Sequence, residues 1–450
     1  MIFKRKIYEK MLEWKNISKG KSALMIEGAR RVGKSTIAEE FARNEFDSYL
    51  VLNFAEESDE IRRNFKENIG DLDTFFRNLF VLKEQQLKET ESVIIFDEVQ
   101  LFPLARQAIK TLVADGRYCY IETGSLISIK KNVKDILIPS EEHKLKMYPM
   151  DFEEFLWAKD DKATMPAIEE AFLKRNALGN MIHNKIMQVF RTYVAVGGMP
   201  QAVEAFVNGD TYQRIDNIKR DILTLYEDDL KKYDEENREK ASVIFKAIPE
   251  QLTNRNSNFK LFSLDKNARH RNYIDAIDFV AESMIGNACI NVTDPDVTPA
   301  LFADRSNFKL YMGDTGLLVT KIMNSGNETE ENLYKSLIFN KLGINQGMIM
   351  ENMVAQMLKS QGRDLYFHEF LYKAEGVTKE NKYEIDFLIV NNKRICPIEV
   401  KSSGYKRHKS FDYFIKKYQL KTNERYVINT KDLHVDADIV YIPLYITMLI

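Results

Sequence analysis

The chain has 450 residues, of which 29% are charged and 44% are hydrophobic, and its formal net charge is −2. This composition is typical of a globular protein, and the length predicts about three domains at the usual ~100–200 residues per domain. The near-neutral charge excludes a protein whose whole surface attracts nucleic acid, although a local basic face stays open.

The cysteines and the apolar stretches predict the compartment. Cys119, Cys289 and Cys396 lie far apart, with neither metal-ligand spacing nor a disulfide pattern, which favours a reducing environment. The basic first residues lack the apolar run of a signal peptide, and no stretch approaches the ~20 apolar residues of a membrane span. We therefore expect a cytoplasmic protein without a membrane partner.

The first motif in chain order is a glycine-rich loop between a strand and a helix. The apolar run 23–26 predicts the strand, and the apolar stripe of residues 36–42 predicts the helix. Between them, the residues from Gly28 to Ser35 fit the pattern G-x-x-x-x-G-K-[ST] at every position. Strand, loop and helix in this order are typical of a phosphate-binding P-loop, whereas a chance Gly-Lys turn would have to match the whole pattern.

The spacing of the loop predicts how it would bind ATP and Mg²⁺. Its glycines let the backbone approach phosphate oxygens, and the N-terminus of the following helix favours their negative charge. Lys34 is placed for the β- and γ-phosphates, and the hydroxyl of Ser35 is placed for Mg²⁺. The predicted nucleotide contacts are Gly28, Arg31, Gly33, Lys34, Ser35 and Thr36.

A second strand predicts the acidic half of this site. Residues 93–96 are apolar on both faces, as in a central parallel strand, and they lead into Asp97 and Glu98. Ligands of open α/β sheets bind at the carboxyl ends of the strands, so Asp97 is expected to hold Mg²⁺ together with Ser35. The alternative is that the acidic pair merely begins a surface turn.

Two more strands complete the predicted sheet. Residues 49–54 form one strand, and residues 118–122 form another that leads into Thr123-Gly124-Ser125. Strands that alternate with helices in this way predict a parallel sheet with right-handed crossovers.

The middle of the chain is predicted to be mainly helical. Residues 149–154 have the proline and the acidic first turn of a helix start, and residues 164–235 have a helical pattern. We interpret the Gly-Gly-Met-Pro break at 197–200 as a tight turn between helices rather than as a second phosphate site. Further on, residues 308–311 predict a β-wing, and the basic cluster at 266–271 either contacts phosphates or forms an exposed turn.

The last quarter of the chain carries a second constellation of charged residues. A strand over 383–390 and a strand over 394–401 are predicted to be joined by a hairpin turn. Asp386 lies on the first strand, and Glu399 and Lys401 share one face of the second, because side chains alternate along a strand. This arrangement resembles the core of the PD-(D/E)xK nucleases.

The nuclease resemblance implies a metal site. Glu351, on a helix predicted from residue 349 to about 361, lies where such folds supply a further acid. Asp386 and Glu399 would bind Mg²⁺, and Lys401 would orient or deprotonate the attacking water. The alternatives are a structural ion-pair cluster and a nuclease-like fold that serves only as a binding platform.

Taken in order, the motifs resemble a large bacterial and archaeal family of AAA-like ATPases that carry a C-terminal region of unassigned function. The residues that carry the resemblance are 28–35, 96–98, 123–125, 148–155, 197–200, 311–318 and 350–352. The resemblance implies that Glu98 polarises the attacking water and that the strand over 118–122 lies between the two site strands. It also implies that a polar residue at the tip of that strand senses the γ-phosphate, with Ser125 favoured over Thr123.

The predicted fold class is α/β: a P-loop NTPase parallel sheet, then a helical lid and a winged-helix-like module, then a restriction-endonuclease-like α/β domain. The expected domain boundaries are 1–148, 149–238, 239–328 and 329–450. The predicted function is ATP binding and hydrolysis, with action on nucleic acid through the nuclease-like domain. The alternative function is an ATP-dependent switch whose C-terminal domain binds a partner without cleavage.

Two partners remain candidates beside ATP, namely DNA and further copies of the chain. A homo-oligomer is a candidate because an arginine finger is often supplied by a neighbouring subunit. Four arginines of the ATPase region are the alternatives within the chain, and the sequence does not choose between Arg30, Arg31, Arg106 and Arg117.

Overall fold

The computed structural model describes residues 1–125, 140–234, 239–253, 258–261, 272–323, 330–338, 346–374, 378–419 and 424–450. These residues group into two compact units. The first comprises Met1–Tyr148 with Glu282–Met284 and the described part of Asp228–Glu236, and the second comprises the rest. The basic cluster at 266–271 lies outside the described residues.

The first unit contains a five-stranded sheet. Its strands are β1 (Ala23–Gly28), β2 (Ser48–Asn53), β3 (Ser92–Asp97), β4 (Cys119–Ser125) and β5 (Glu142–Met147). The order is β2-β3-β4-β1-β5, and every pair is parallel. The predicted parallel sheet is therefore confirmed, and so is the position of β4 between the two site strands.

Helices pack against this sheet because their apolar stripes match its buried strands. They are α1 (Ile7–Ser18), α2 (Lys34–Glu45), α3 (Asp59–Asn68), α4 (Leu72–Leu82) and α5 (Pro103–Asp115). One side of the core is rich in aromatic rings, with Phe54, Phe65 and Phe96 in mutual edge contact at 5.7–5.9 Å. Strands β1 and β3 are buried along their whole length, which fixes their carboxyl ends in the interior of the sheet.

The second unit begins with a run of helices, as the pattern predicted. They are α6 (Phe152–Ala158), α7 (Thr164–Lys174), α8 (Asn180–Val196), α9 (Pro200–Val207) and α10 (Tyr212–Asp234), whose residues from Asp228 group with the first unit. Helix α6 starts with a capping box in which Asp151 and Glu154 exchange hydrogen bonds with each other's backbone N–H groups. The Gly-Gly-Met-Pro segment forms the predicted turn between α8 and α9.

The turn at 197–200 packs against a second glycine-containing segment, residues 314–316, far along the chain. The backbone N–H of Gly198 donates to the buried Asp314 carboxylate at 2.7 Å, and a Cβ on Gly198 would lie 2.2 Å from the carbonyl oxygen of Met150. A Cβ on Gly316 would lie 2.4 Å from Cα of Gly197, so the two backbones approach as closely as glycine alone permits. Both glycine motifs are thereby explained by packing.

The remaining helices of the second unit lie along a larger sheet. They are α11 (Lys240–Thr253), α12 (Ile274–Glu282), α13 (Thr315–Ile322), α14 (Glu330–Ile338), α15 (Gln346–Ser360) and α16 (Lys409–Tyr418). The strands are β6 (Gly286–Val292), β7 (Ala303–Met312), β8 (Leu365–Tyr372), β9 (Asn381–Asn391), β10 (Arg394–Val400), β11 (Arg425–Asn429), β12 (His434–Asp436) and β13 (Ile439–Pro443). Their order is β12-β13-β11-β10-β9-β8-β6-β7, and the sheet is mixed.

This eight-stranded sheet crosses a boundary that the sequence suggested. Strand β7 contains residues 308–311, which were expected to form the wing of a separate module, and it joins the same sheet as β8 to β13. The hairpin predicted between β9 and β10 is confirmed, since Asn392 and Lys393 turn the chain with positive φ values of 50° and 60°. The assignment of this sheet to the restriction-endonuclease-like class stays a prediction.

Candidate functional site

The glycine loop connects β1 to α2, and its backbone adopts conformations that residues with a Cβ disfavour. Gly33 precedes α2 with φ of 97°, in the left-handed region that favours glycine. A Cβ on Gly28 would lie 2.4 Å from the carbonyl oxygen of Met147 on the neighbouring strand β5. Both glycines of the pattern are therefore required by the shape of the loop and by the spacing of β1 and β5.

Lys34 is buried at the start of α2 and turns back over the loop. Its Nζ donates to the carbonyl oxygens of Gly28 at 3.2 Å and Ala29 at 2.9 Å. Burial lowers the pKa of Lys34 to about 8, while the nearby carboxylates of Glu98 and Asp97 act in the opposite direction. An ammonium group so desolvated is stabilised by any anion that reaches it.

The side chains predicted to hold Mg²⁺ are in direct contact. Ser35 Oγ donates to Asp97 Oδ1 at 2.6 Å, and Thr123 Oγ1 donates to the same carboxylate oxygen. Asp97 is only 6% exposed, at the end of the buried strand β3. Hydroxyl and carboxylate oxygens suit a hard cation, so these residues fit Mg²⁺.

Glu98 follows Asp97 in an unusual backbone conformation. Its φ and ψ of 53° and 42° lie in the left-handed region, which a glutamate seldom adopts and which turns its side chain away from the strand direction. The carboxylate is partly exposed and accepts a hydrogen bond from the Gln100 amide. Such strain is held in place by its surroundings, which favours a functional reason for it.

The other predicted residues of this site occupy different environments. Ser125 is buried opposite Gly28 in the β1–β4 register, whereas it is Thr123 whose hydroxyl contacts Asp97. Arg31, with φ of 67°, and Thr36 are both exposed. Both assignments of the γ-phosphate sensor stay predictions.

The structure adds one residue that the sequence motifs did not reveal. The buried Arg5 donates to the carbonyl oxygen of Val32 within the loop at 2.9 Å and to that of Tyr148 at 2.6 Å. Arg5 therefore ties the P-loop to the chain that follows β5. Arg5 precedes Val32 by 27 positions, and no spacing rule connects the two.

Three of the four candidate finger arginines are held by ion pairs inside the first unit. Arg106 makes a bidentate pair with Glu142 at 2.8 and 2.7 Å and is 2% exposed. Arg117 pairs with Asp115 at 2.7 Å and with Asp73 at 2.8 Å. Arg30 pairs with Asp229 at 2.9 Å.

The second constellation lies within the second unit, on β9 and β10. The ladder ends at the pair of Phe387 with Ile398, and Asp386 and Glu399 are the residues next to that pair on β9 and β10. Asp386 Oδ2 accepts the backbone N–H of Val400 at 2.7 Å. Lys401 Nζ approaches Glu399 Oε2 to 2.8 Å, outside hydrogen-bond geometry, so this contact is an ion pair rather than a directed bond.

Glu351 joins this constellation from α15, as predicted. Tyr311 on β7 donates to Glu351 Oε2 at 3.2 Å. Burial raises the pKa of Glu351 to about 7, and the nearby charges of Asp386 and Glu384 act in the same direction. Burial likewise raises the pKa of Asp386 and of Glu399.

A lysine that belongs to none of the sequence motifs lies in the same cluster. Lys309 on β7 is fully buried, and its Nζ contacts Glu384 Oε1 at 2.5 Å. Within the described ranges, no group of three or more His, Cys, Asp and Glu side chains is arranged to hold a metal ion. An ammonium group therefore lies beside the acids that are predicted to bind Mg²⁺ here, and their role as metal ligands stays a prediction.

No helix of the described chain is long and apolar enough to cross a membrane.

Family models match three regions of the chain, and two of the three models describe domains of unknown function. Residues 20–156 match the family model described as an AAA domain. Residues 187–328 and 346–447 match two domains of unknown function, DUF8612 and DUF4143. No curated protein matches the chain.

Similarity to solved structures is weak. The RuvB Holliday junction branch migration motor of Thermotoga maritima is 14% identical, with 63% of this chain and 89% of that chain covered and a TM-score of 0.28. Protein VC1899 from Vibrio cholerae is 10% identical over 95% of both chains, with a TM-score of 0.17. Residues 20–156 thus combine a match to the AAA-domain model with the loop geometry of a P-loop.

Proposed function

We propose that this chain binds ATP with Mg²⁺ and hydrolyses it. The observation that carries the proposal is the contact between the Ser35 hydroxyl and the Asp97 carboxylate at 2.6 Å, beside a buried lysine at the head of a helix. The strands β1 and β3, which are separated by β4, bring these groups together. An apolar contact would stabilise the fold better than this polar pair, so the pair indicates a functional purpose.

Each residue has a distinct role in this proposal. The loop N–H groups and Lys34 bind the phosphates, while Ser35 and Asp97 hold Mg²⁺, which would neutralise charge on the transferring phosphate. Glu98 orients the attacking water and accepts its proton. The strained backbone of Glu98 supports this role, because it fixes the carboxylate at the carboxyl edge of the sheet.

Binding and hydrolysis are tested separately in the full chain. Lys34→Ala should abolish the heat of ATP binding in calorimetry, because the buried cation is lost. Glu98→Gln should retain binding and lower phosphate release by at least about 100-fold, the usual contribution of a positioned base. Lys110→Ala, at an exposed position on α5, is the matched control and should change neither. Undiminished phosphate release by Glu98→Gln would reassign the base.

For the second unit we propose that ATP turnover controls an action on a partner. Nucleic acid is the first candidate, and it is supported by Asp386 and Glu399 on the paired strands β9 and β10 and by Lys401, which contacts Glu399 at 2.8 Å. Binding of a partner without cleavage is the second candidate. It is favoured by the Lys309–Glu384 ion pair inside the acidic cluster.

A plasmid nicking assay distinguishes the two candidates. Supercoiled DNA is incubated with the full chain, ATP and either Mg²⁺ or Mn²⁺, and the same is done with Lys401→Ala. Nicking that disappears in Lys401→Ala while ATP turnover persists supports cleavage. A wild-type chain that turns over ATP but leaves DNA and RNA uncut supports the switch.

Sedimentation with and without ATP tests whether the chain acts as a homo-oligomer.

A further inference from the structure

One lysine side chain, that of Lys309, lies in the acidic cluster of the second unit. We use this name for the carboxylates of Glu351, Glu384, Asp386 and Glu399. Lys309 stands opposite Cys289 in the β6–β7 register, and its ammonium group lies 4.9 Å from the centre of the Phe367 ring on β8. It then reaches Glu384 on β9, across the two intervening strands. The small cysteine and the flat face of the aromatic ring leave room for this long side chain along the sheet.

The environment of Lys309 is that of a bound cation. The side chain has no exposed surface, and a buried ammonium group persists only where anions compensate for its lost hydration. The ammonium group contacts the Glu384 carboxylate at 2.5 Å, and it thereby offsets part of the negative charge of the cluster.

We infer that Lys309, paired with Glu384, takes the place of a divalent cation in this acidic cluster, so that the wild-type cluster binds no metal. This inference supports the second candidate of the proposed function, binding of a partner without cleavage, over metal-dependent cleavage. Two cations in one cluster would repel each other, and the carboxylate that a metal would need from Glu384 is already paired at 2.5 Å. The cluster is thereby complete without a metal ion. This inference does not depend on ATP hydrolysis by the first unit.

The inference is tested by removing the ammonium group. Every sample is the full chain with Asp97→Asn, which removes the carboxylate that contacts Ser35 of the P-loop, and no nucleotide is added. The chain with this substitution alone is the parent. Free Mn²⁺ is measured by electron paramagnetic resonance during titration. The parent should show no saturable site, whereas Lys309→Met should gain one, with an affinity at least about tenfold above the parent's residual binding. Adding Asp386→Asn should abolish the new site.

A matched control separates this effect from the loss of any ion-paired lysine. Lys321 is 13% exposed and pairs with Glu227 at 3.1 Å, away from the cluster, so Lys321→Met should gain no Mn²⁺ site. Thermal unfolding provides a second measurement, because a metal that binds only the folded chain raises Tm. Mn²⁺ should raise the Tm of Lys309→Met and leave that of the parent unchanged.

Two results would overturn the inference. One is a saturable Mn²⁺ site in the parent that Asp386→Asn removes, since the ammonium group would then not exclude the metal. The other is a folded Lys309→Met chain that binds no Mn²⁺. Should Lys309→Met fail to fold, the charge-balanced variant Lys309→Met/Glu384→Gln retains Glu351 and Asp386 as ligands, and the same comparison decides the question.

Discussion

The low pKa of Lys34 makes a quantitative prediction about ATP binding and pH. The pKa of Lys34 is about 8 in the free protein because burial disfavours the charged form of its side chain. Phosphate anions beside the ammonium group favour the charged form, so the pKa rises when ATP binds. Binding must then draw a proton from solution wherever free Lys34 is partly neutral, and the affinity for ATP should fall as pH rises through 8.

The magnitude follows from this single titration. Free Lys34 is charged in about nine-tenths of molecules at pH 7 and in about one-tenth at pH 9, for a pKa of about 8. Provided that only the ammonium form binds the phosphates, the affinity for ATP falls about tenfold between these two pH values. At pH 8 each bound ATP should draw about half a proton from the buffer.

Calorimetry in two buffers of different ionisation enthalpy measures this proton directly. The difference between the observed heats gives the number of protons taken up per ATP, and the titration is repeated at pH 7, 8 and 9 with Mg²⁺ present. Lys110→Ala, at an exposed site, should reproduce the wild-type uptake. Zero uptake at pH 8 with undiminished affinity at pH 9 would refute the reasoning, because Lys34 would then be as well solvated as a surface lysine.

Three further predictions concern positions outside the nucleotide contacts. Gly198→Ala should lower the free energy of unfolding by about 1–3 kcal/mol in urea titrations, because its Cβ would lie 2.2 Å from the Met150 oxygen; Gly70→Ala, with nothing within 4 Å, is the control. Asp151→Ala should cost about 1 kcal/mol in the same assay through loss of the capping box, and an unchanged midpoint would contradict this. Arg5→Met should weaken ATP binding in calorimetry without abolishing it, because the loop loses its anchor; unaltered affinity would assign Arg5 to folding alone.

Features set by neighbouring residues could be predicted from the sequence. The P-loop pattern is contiguous, so the strand, loop and helix around Gly28 and Lys34 followed from it, although α2 extends three residues beyond the predicted stripe, to Glu45. The hairpin at Asn392 followed for the same reason, since a two-residue turn between strands leaves little choice of partner. Parallel pairing in the first sheet followed because alternating strands and helices permit little else.

Contacts set by strand register could not be predicted in the same way. Both Thr123 and Ser125 end β4 on one face, and only the offset between neighbouring strands decides which hydroxyl meets Asp97. The contact with Asp97 belongs to Thr123, while the assignment of Ser125 as the γ-phosphate sensor stays a prediction. Arg5 illustrates the same limit, because a side chain from the start of the chain reaches the loop only after the whole unit has folded.

Lys309 shows what a single residue can and cannot reveal. It interrupts the apolar strand segment 308–311, and only the structure shows that it is fully buried and therefore needs an acidic partner. The sequence offers no means of choosing that partner among 67 acidic residues. The choice of Glu384, 75 positions away, is made by the order β7-β6-β8-β9, which brings the two side chains to one face of the sheet. The resemblance to the PD-(D/E)xK pattern rests on the acids of β9 and β10 alone, and it cannot detect a cation that β7 supplies to the same side of the sheet.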